Sequence, residues 1–247
     1  MKVKDIINIM EKHYPLDLQE EWDKCGLQIG DKNQDVHKIM IALNADRYSL
    51  QEAIDHHCDM LITHHPFLLD TFDNIDKDHF MGEFIYKAIE NHVSVYSSHT
   101  ALDRASMNQW LIEKLQVDDI QDGDDKISKI AVLRQEMSQD EFIDYVQDIF
   151  QLEHFRYAGH VQRVKKVAIC GGSGADFIES FYGKVDAYLT GDTKYRHAKN
   201  AVDHHLLLID IHHHAEKIMV SELKKLLEKE VNIEIIEGSS PDYYCYR

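Results

Sequence analysis

The sequence predicts an α/β protein of two lobes. Short apolar runs with β character alternate with helical patterns along the chain, and this alternation is typical of β–α–β units. Of the 247 residues, 44% are hydrophobic, whereas only 3 are proline and 11 are glycine. No low-complexity tract interrupts the pattern, so the composition is that of a folded chain that can bury a core of ordinary size.

Seven apolar runs are the predicted strands, and eight stretches with helical patterns are the predicted helices. The strands cover 39–45, 59–64, 93–98, 155–160, 165–170, 186–190 and 206–211. The helices cover 3–13, 49–57, 80–91, 106–116, 138–150, 175–182, 193–203 and 215–229. Ser138 and Glu141 have the spacing of a capping box at the start of the fifth helix.

The acidic, turn-prone stretch VDDIQDGDDK, residues 117–126, is predicted to be a linker. It divides the chain into near-equal halves. We therefore expect an N-terminal α/β lobe of residues 1–125 and a C-terminal α/β lobe of residues 126–247.

Charge and patterning argue against several classes of protein. The formal net charge of −17 repels phosphate backbones, so nucleic acid is not expected as a partner. No uncharged apolar run approaches the roughly 18 residues of a membrane helix, and the charged N-terminal segment does not resemble a signal peptide. The four cysteines form no CxxC pair and are expected to be reduced thiols. We expect a cytoplasmic protein without a membrane partner.

Polar residues with metal-binding side chains follow three of the apolar runs directly. In α/β sheets, ligands collect at the carboxyl ends of strands, so these positions are candidate sites. The three stretches are LITHHPFLLD (61–70), VYSSHTALD (95–103) and LLLIDIHHHAE (206–216), and their candidates are His64, His65, His99, Asp103, His213 and Glu216.

The spacing within these stretches is compatible with metal binding. Pro66 favours an extended conformation at His65, and neighbouring side chains of an extended segment point to opposite sides, so two adjacent histidines suit two ions better than one. His213 and Glu216 lie three residues apart at a predicted helix start and share a face. Imidazole and carboxylate ligands suit Zn, Fe, Mn or Co.

Ordinary structural roles for the same residues stay open. A histidine after a strand is often a solvated loop residue. Asp103 can be an N-cap or an ion-pair partner, and Glu216 can favour a helix N-terminus through the helix dipole. Spacing alone does not decide between these roles and metal binding.

Two further stretches contain residues suited to ligand binding. CGGSGADF (170–177) lies between a predicted strand and a helix, where a phosphate-binding loop would lie, but it matches neither common glycine-rich motif, so a tight turn is the alternative. TGDTKYRHA (190–198) offers Asp192 and Lys194 as polar lining of the same cleft, or else forms a capped helix start.

The order of six blocks resembles that of the NIF3-like family, also named GTP cyclohydrolase 1 type 2 homologues. The blocks are EEWDKCGLQIGD (20–31), LITHHPFLLD, VYSSHTALD, VAICGGSG, DAYLTGDTKY and HHHAEKIM, and they extend from about residue 15 to about residue 220. The resemblance implies the NIF3-like fold in its short form, without an inserted domain. In that fold two α/β lobes enclose a dinuclear metal site in the cleft between them, often in a ring-shaped homohexamer.

The resemblance also implies roles for single residues. The final block usually reads GHxxE or GHxxxE, so His212 stands where glycine is expected and is a fallback ligand for His213. His99 matches its block either as a ligand or as a catalytic group, and Arg196 replaces a histidine for which His197 is a candidate substitute. The implied metal ligands are His64, His65, Asp103, His213 and Glu216.

Two divalent ions would make hydrolysis available, because a bound metal lowers the pKa of its water and stabilises developing negative charge. We therefore expect a metal-dependent hydrolase acting on a nucleotide or related phosphorylated small molecule, with His99 transferring protons. Two alternatives are a non-catalytic metal-handling or regulatory hexamer and a phosphoesterase. The family name suggests GTP ring opening. However, resemblance to a family is better evidence for a shared metal site than for a shared substrate.

Overall fold

The computed structural model describes residues 1–71 and 73–245. Its strands in chain order are β1 Gly26–Ile29, β2 Lys38–Asn44, β3 Met60–His65, β4 Ser94–Ser97, β5 Val117–Asp122, β6 Lys129–Ser138, β7 Arg156–Ala158, β8 Arg163–Ile169, β9 Ala187–Thr190, β10 Leu207–Asp210 and β11 Glu234–Glu237. Its helices are α1 Val3–His13, α2 Arg47–Asp55, α3 Phe80–Glu90, α4 Thr100–Leu102, α5 Asn108–Glu113, α6 Gln139–Phe150, α7 Tyr195–Asp203 and α8 Ile218–Glu230. Short 3-10 turns cover Leu16–Leu18, Gly174–Phe181 and His213–Lys217, and a π turn covers Asp103–Met107.

The chain divides into two compact units, each with its own β-sheet. Unit 1 is Met1–Ala105 with Met219–Pro241, and unit 2 is Ser106–Ile218 with the described residues from Asp242 onward. This division differs from the lobes expected at 1–125 and 126–247. The C-terminal part of the chain returns to unit 1, because β11 pairs in parallel with β2.

Unit 1 is built on the sheet order β1-β4-β3-β2-β11. The four strands from β4 to β11 are parallel, and β1 is antiparallel to β4. The central strands β2 and β3 are buried along most of their length, as expected for parallel strands covered on both faces. The register sets Asn44 beside His65 and Thr63 beside Ser97, so three strands end at one edge of the sheet.

The apolar core of unit 1 keeps this edge in place. Leu50 and Ala53 of α2 and Phe84 of α3 pack with strand residues in one buried cluster. Helix α2 begins at Asp46, whose carboxylate accepts hydrogen bonds from two backbone N–H groups of the first turn. This cap fixes the turn that leaves β2 directly after Asn44.

Unit 2 is built on the sheet order β5-β6-β8-β9-β10-β7. Strands β8, β9 and β10 are parallel, and both β9 and β10 are fully buried. The carboxyl ends of these three strands lead into the loops that begin at Cys170, Gly191 and Ile211. All the candidate site residues of unit 2 lie in or directly after these loops.

All seven predicted strands and the capping box at Ser138 are confirmed. Seven of the eight predicted helices are α-helices, and the segment predicted at 175–182 is a 3-10 turn. The linker prediction was wrong for residues 117–122, which form β5. This strand is an edge strand with mostly exposed side chains, so it lacks the apolar alternation by which strands are recognised.

Strands β1, β6 and β11 were also not predicted. Two of them, β1 and β11, form the edges of the first sheet and alternate only weakly between buried and exposed residues. None of the helices in 1–71 and 73–245 is long and apolar enough to cross a membrane.

Candidate metal centre

Three histidine rings of unit 1 lie together at the carboxyl edge of the first sheet. The ring centroids of His64 and His65 are 4.8 Å apart, and that of His99 lies 5.0 and 5.5 Å from them. One ring nitrogen from each histidine lies within 4.8 Å of the other two. Strand β3 ends in the first pair, and His99 follows the adjacent parallel strand β4, so the sheet brings the three rings together.

Each of these rings has its Nδ1 atom hydrogen-bonded to an oxygen. The partners are the Ser98 carbonyl oxygen for His64 at 3.0 Å and Asn44 Oδ1 for His65 at 2.6 Å. His99 Nδ1 lies 2.9 Å from Asp23 Oδ1.

Carbonyl and carboxylate oxygens accept hydrogen bonds, so Nδ1 donates and the lone pair of each neutral ring is on Nε2. Histidines that bind metal through one nitrogen usually donate from the other in this way. The hydrogen-bonding pattern therefore places the lone pair of each ring on Nε2, as metal binding or proton transfer requires.

Asp103 adds a carboxylate on the Nε2 side of His64. Its Oδ1 atom lies 3.4 Å from His64 Nε2, and the carboxylate is 15% exposed. Asp103 is also the first residue of the π turn, a type of turn that is frequent at functional sites. His64 and Asp103 therefore offer a nitrogen and an oxygen ligand to the same space.

Asp23 is buried and accepts several hydrogen bonds besides that from His99. Thr100 donates to it from both its backbone N–H and its hydroxyl group. Burial by itself raises the pKa of Asp23, but the hydrogen bonds from His99 and Thr100 outweigh burial and hold that pKa well below its usual range. Asp23 is therefore an ionised acceptor that fixes the orientation of the His99 ring.

The nearby thiol of Cys25 is not suited to metal binding at neutral pH. Burial raises its pKa to about 12, so the thiol keeps its proton. The ligand atoms that unit 1 offers are consequently nitrogen and oxygen.

In unit 2, His213 and Glu216 pair as their spacing predicts. His213 Nε2 lies 3.1 Å from Glu216 Oε2, and His213 Nδ1 lies 2.8 Å from Asp192 Oδ2. The hydrogen bond to Glu216 raises the pKa of His213 to about 9, with Asp192 adding to the effect and burial opposing it. A cation is therefore favoured at this position, and a metal ion would replace the proton.

Two glycines make room for the Glu216 carboxylate. A Cβ atom at Gly172 would lie 2.2 Å from Glu216 Oε1, and one at Gly171 would lie 3.2 Å from its Cγ. Gly172 also has φ +56, which favours glycine. The close approach of Glu216 therefore accounts for Gly172, and at Gly171 a Cβ atom would lie even closer to Leu111 Cδ1, at 2.8 Å, so neither glycine requires a bound phosphate.

A cavity of about 750 Å³ opens beside this pair within unit 2. Asp192 and Lys194, predicted as polar cleft lining, both line it. The lining residues are His154, Phe155, Arg156, Ser173, Ala175, Asp176, Asp192, Thr193, Lys194, His197, Asp210, His212, His213 and Tyr244.

Arg196 and His197, the two residues considered for the missing family histidine, both contact Asp176. Arg196 forms an ion pair with it, and His197 Nε2 lies 2.9 Å from its Oδ1. Of the two, only His197 is buried and lines the cavity. His197 is therefore the better placed substitute.

The structure brings together the candidate residues of each unit and adds partners that were not predicted. His64, His65, His99 and Asp103 cluster in unit 1, and His213 pairs with Glu216 in unit 2. Asn44 could have been found, because it lies at the carboxyl end of the predicted strand 39–45, as His65 lies beside the end of the predicted strand 59–64. Asp23 lies within the quoted block EEWDKCGLQIGD, but no local pattern pairs it with a histidine 76 residues away.

Comparison with known proteins identifies the family. The model of the Duf34/NIF3 (NGG1p interacting factor 3) family matches residues 1–241. The chain belongs to the Duf34/NIF3 family.

Two curated relatives of this NIF3-family chain carry the same name. A Clostridium acetobutylicum protein named GTP cyclohydrolase 1 type 2 homolog is 35% identical, with 86% of this chain and 84% of that protein covered. A Campylobacter jejuni protein of the same name is 28% identical, with 100% of both chains covered.

Solved structures show the same fold. A hypothetical protein of Staphylococcus aureus matches with a TM-score of 0.92 at 23% identity, covering 100% of this chain and 99% of that one. Reduced HcgD from Methanocaldococcus jannaschii matches with a TM-score of 0.87 at 27% identity, covering 97% and 98%. The mixed α/β architecture with two sheets, expected from the resemblance to the NIF3-like family, is confirmed.

The packing of Gly172 against Glu216 is tested by a pair of alanine substitutions. Gly172→Ala and Gly183→Ala both place a side chain at positive φ, which costs about 1 to 2 kcal/mol. Only Gly172 faces a carboxylate, whereas a Cβ at Gly183 meets nothing within 4 Å. We expect Gly172→Ala to lower the free energy of unfolding by at least about 1 kcal/mol more, as overpacking does. Urea denaturation measures the free energy of unfolding of both variants. Equal decreases in the two variants would contradict the packing argument.

The ionised state of Asp23 predicts a pH-dependent contribution to stability. Because its folded-state pKa is depressed, the contribution is complete above the unfolded value of about 4 and is lost as pH falls through the lower folded value. Asp23→Asn should therefore lower the melting temperature at neutral pH and change it progressively less below about pH 4. Asp17→Asn, at an exposed position of the same unit, is the control. A difference that stays constant down to about pH 2 would refute this account.

Proposed function

We propose that this chain binds two divalent metal ions and uses them to hydrolyse a nucleotide or a related small molecule. The observation that carries the proposal is the arrangement of His64, His65 and His99, whose Nδ1 atoms all donate to oxygens. One ring nitrogen of each histidine lies within 4.8 Å of the other two, and Asp103 Oδ1 lies 3.4 Å from His64 Nε2. The ring-shaped hexamer and the cytoplasmic location belong to the same proposal.

The donor atoms fit a divalent ion of the first transition series. The residues that would hold the two ions are His64, His65, Asp103, His213 and Glu216. A nitrogen and oxygen set of this kind suits Zn, Fe, Mn or Co. Bound ions would supply an activated water and stabilise the negative charge that develops on the substrate.

The side chains around the ligands have complementary roles in this proposal. Asp23 holds the Nδ1 proton of His99, so that His99 Nε2 is the atom that would accept and return a proton. The exposed indole of Trp22 meets the His99 ring edge-on, with the centroids 5.7 Å apart, and so limits the ring's movement. His99 is therefore the proposed catalytic group, and Asp23 positions it.

The cavity in unit 2 supports a small molecule as substrate. Its volume of about 750 Å³ is that of a typical ligand site. Lys194 adds a positive charge to its lining, whereas Arg156 is paired with Asp210. The name of the curated relatives, GTP cyclohydrolase 1 type 2 homolog, points to the same class of substrate.

Metal content is the first test. Elemental analysis of protein made without a histidine tag should find about two ions per chain, with clear loss in His64→Ala and Glu216→Ala. The control is His56→Ala, which alters an exposed histidine from another HH pair and should leave the content unchanged. Full metal content in both His64→Ala and Glu216→Ala would refute the assignment of these residues as ligands.

Turnover is the second test. The metal-loaded protein is screened against GTP and an aryl phosphate, and His99→Ala should retain the metal while losing at least about 100-fold in kcat. Loss of the metal in this variant would show instead that His99 is a ligand. Hydrolysis of the aryl phosphate alone would favour the phosphoesterase. Tight metal binding without turnover of either compound would favour the metal-handling or regulatory role.

A further inference from the structure

His212 has a backbone conformation that side chains rarely adopt. Its φ is 65° and its ψ is 153°, a combination found almost only at glycine. The residue precedes His213, and family resemblance expects glycine at this place. Strain of this kind is retained mainly at functional positions. We therefore expect the imidazole of His212 to have a functional role.

The surrounding backbone holds His212 in this conformation. Its N–H donates to Asp210 Oδ1 at 3.1 Å, and the preceding Ile211 N–H donates to the Thr190 carbonyl oxygen at 2.8 Å. Gly191 packs so closely that a Cβ there would lie 2.8 Å from the nitrogen of His213. The His212–His213 peptide is thus fixed by its neighbours, and the Cβ atom of His212 is held in one place.

That place is the wall of the unit 2 cavity. The three carboxylates of the lining are engaged by other side chains: Asp192 by His213, Asp210 by Arg156, and Asp176 by Arg196 and His197.

The rest of the lining includes Lys194, further imidazoles and the aromatic rings of Phe155 and Tyr244. Hydrogen-bond donors, positive charge and aromatic surface in one cavity suit a phosphorylated molecule with a planar ring.

We propose that His212 contacts the phosphate group of the ligand in this cavity and determines specificity for it. The strained backbone is the cost of placing an imidazole where glycine would fit without strain. This inference rests on the proposed function only in taking the ligand to be the substrate.

The test compares three variants of the full metal-containing protein. His212→Gly removes both the strain and the imidazole, whereas His212→Ala removes the imidazole and keeps the strain. His205→Gly is the matched control, because His205 has φ 55 in the same unit, is exposed and does not line the cavity. Melting temperature, metal content and the Kd for GMP and for inorganic pyrophosphate are measured for each.

We expect His212→Gly to raise the melting temperature by about 2 to 4 °C and to weaken the binding of both probes at least about tenfold. His212→Ala should weaken binding equally without raising the melting temperature, and His205→Gly should leave binding unchanged. Metal content should be the same in all variants.

Three results would overturn the proposal. They are unchanged probe binding in both His212 variants, no binding of either probe by the parent, and loss of metal on substitution of His212, which would make it a metal ligand. Binding that depends on His212 in a protein without turnover would support this inference while the proposed hydrolase fails.

Discussion

The hydrogen bond from His64 Nδ1 to the Ser98 carbonyl oxygen is the interaction on which the unit 1 cluster depends. It joins the end of β3 to the segment that follows β4, in a place where the His64 side chain is completely buried. A buried imidazole without this acceptor would lose a hydrogen bond and could adopt either tautomer. With it, the proton is on Nδ1, and Nε2 is directed towards Asp103.

The same principle of a fixed Nδ1 proton applies to His65, His99 and His213. An amide oxygen, a buried carboxylate and a half-exposed carboxylate serve as the three acceptors. The charge of the acceptor differs among these histidines, and so does its effect on the protonation of the imidazole ring. Asp192 and Glu216 together favour a protonated His213, whereas neutral acceptors orient His64 and His65 without adding charge.

Two residues of unit 2, Gly172 and His212, have positive φ angles next to candidate ligands. Gly172 has positive φ and leaves space for Glu216, which allows a carboxylate to lie against the main chain. His212 has positive φ although it bears a side chain, so the local conformation conflicts with the residue type. Such conflicts between local preference and tertiary structure are expected at functional positions rather than in the core.

Local sequence by itself determined the buried parallel strands at the centre of both sheets and the candidate ligands that follow them. Apolar runs and the polar residues that end them are local features, so strands β2, β3 and β4 and the pair His64–His65 could be predicted without tertiary contacts. Strand β5 could not, because its mostly exposed side chains leave no apolar alternation.

Only the tertiary structure decided which residues support the ligands. The pairing of Asp23 with His99 depends on contact between segments 76 residues apart, and that of Asn44 with His65 on the strand register. The contact of His213, rather than His212, with Glu216 depends on the turn that follows β10. Sequence spacing identifies residues able to bind a metal, but hydrogen-bond partners are set by sheet order, which local patterns do not encode.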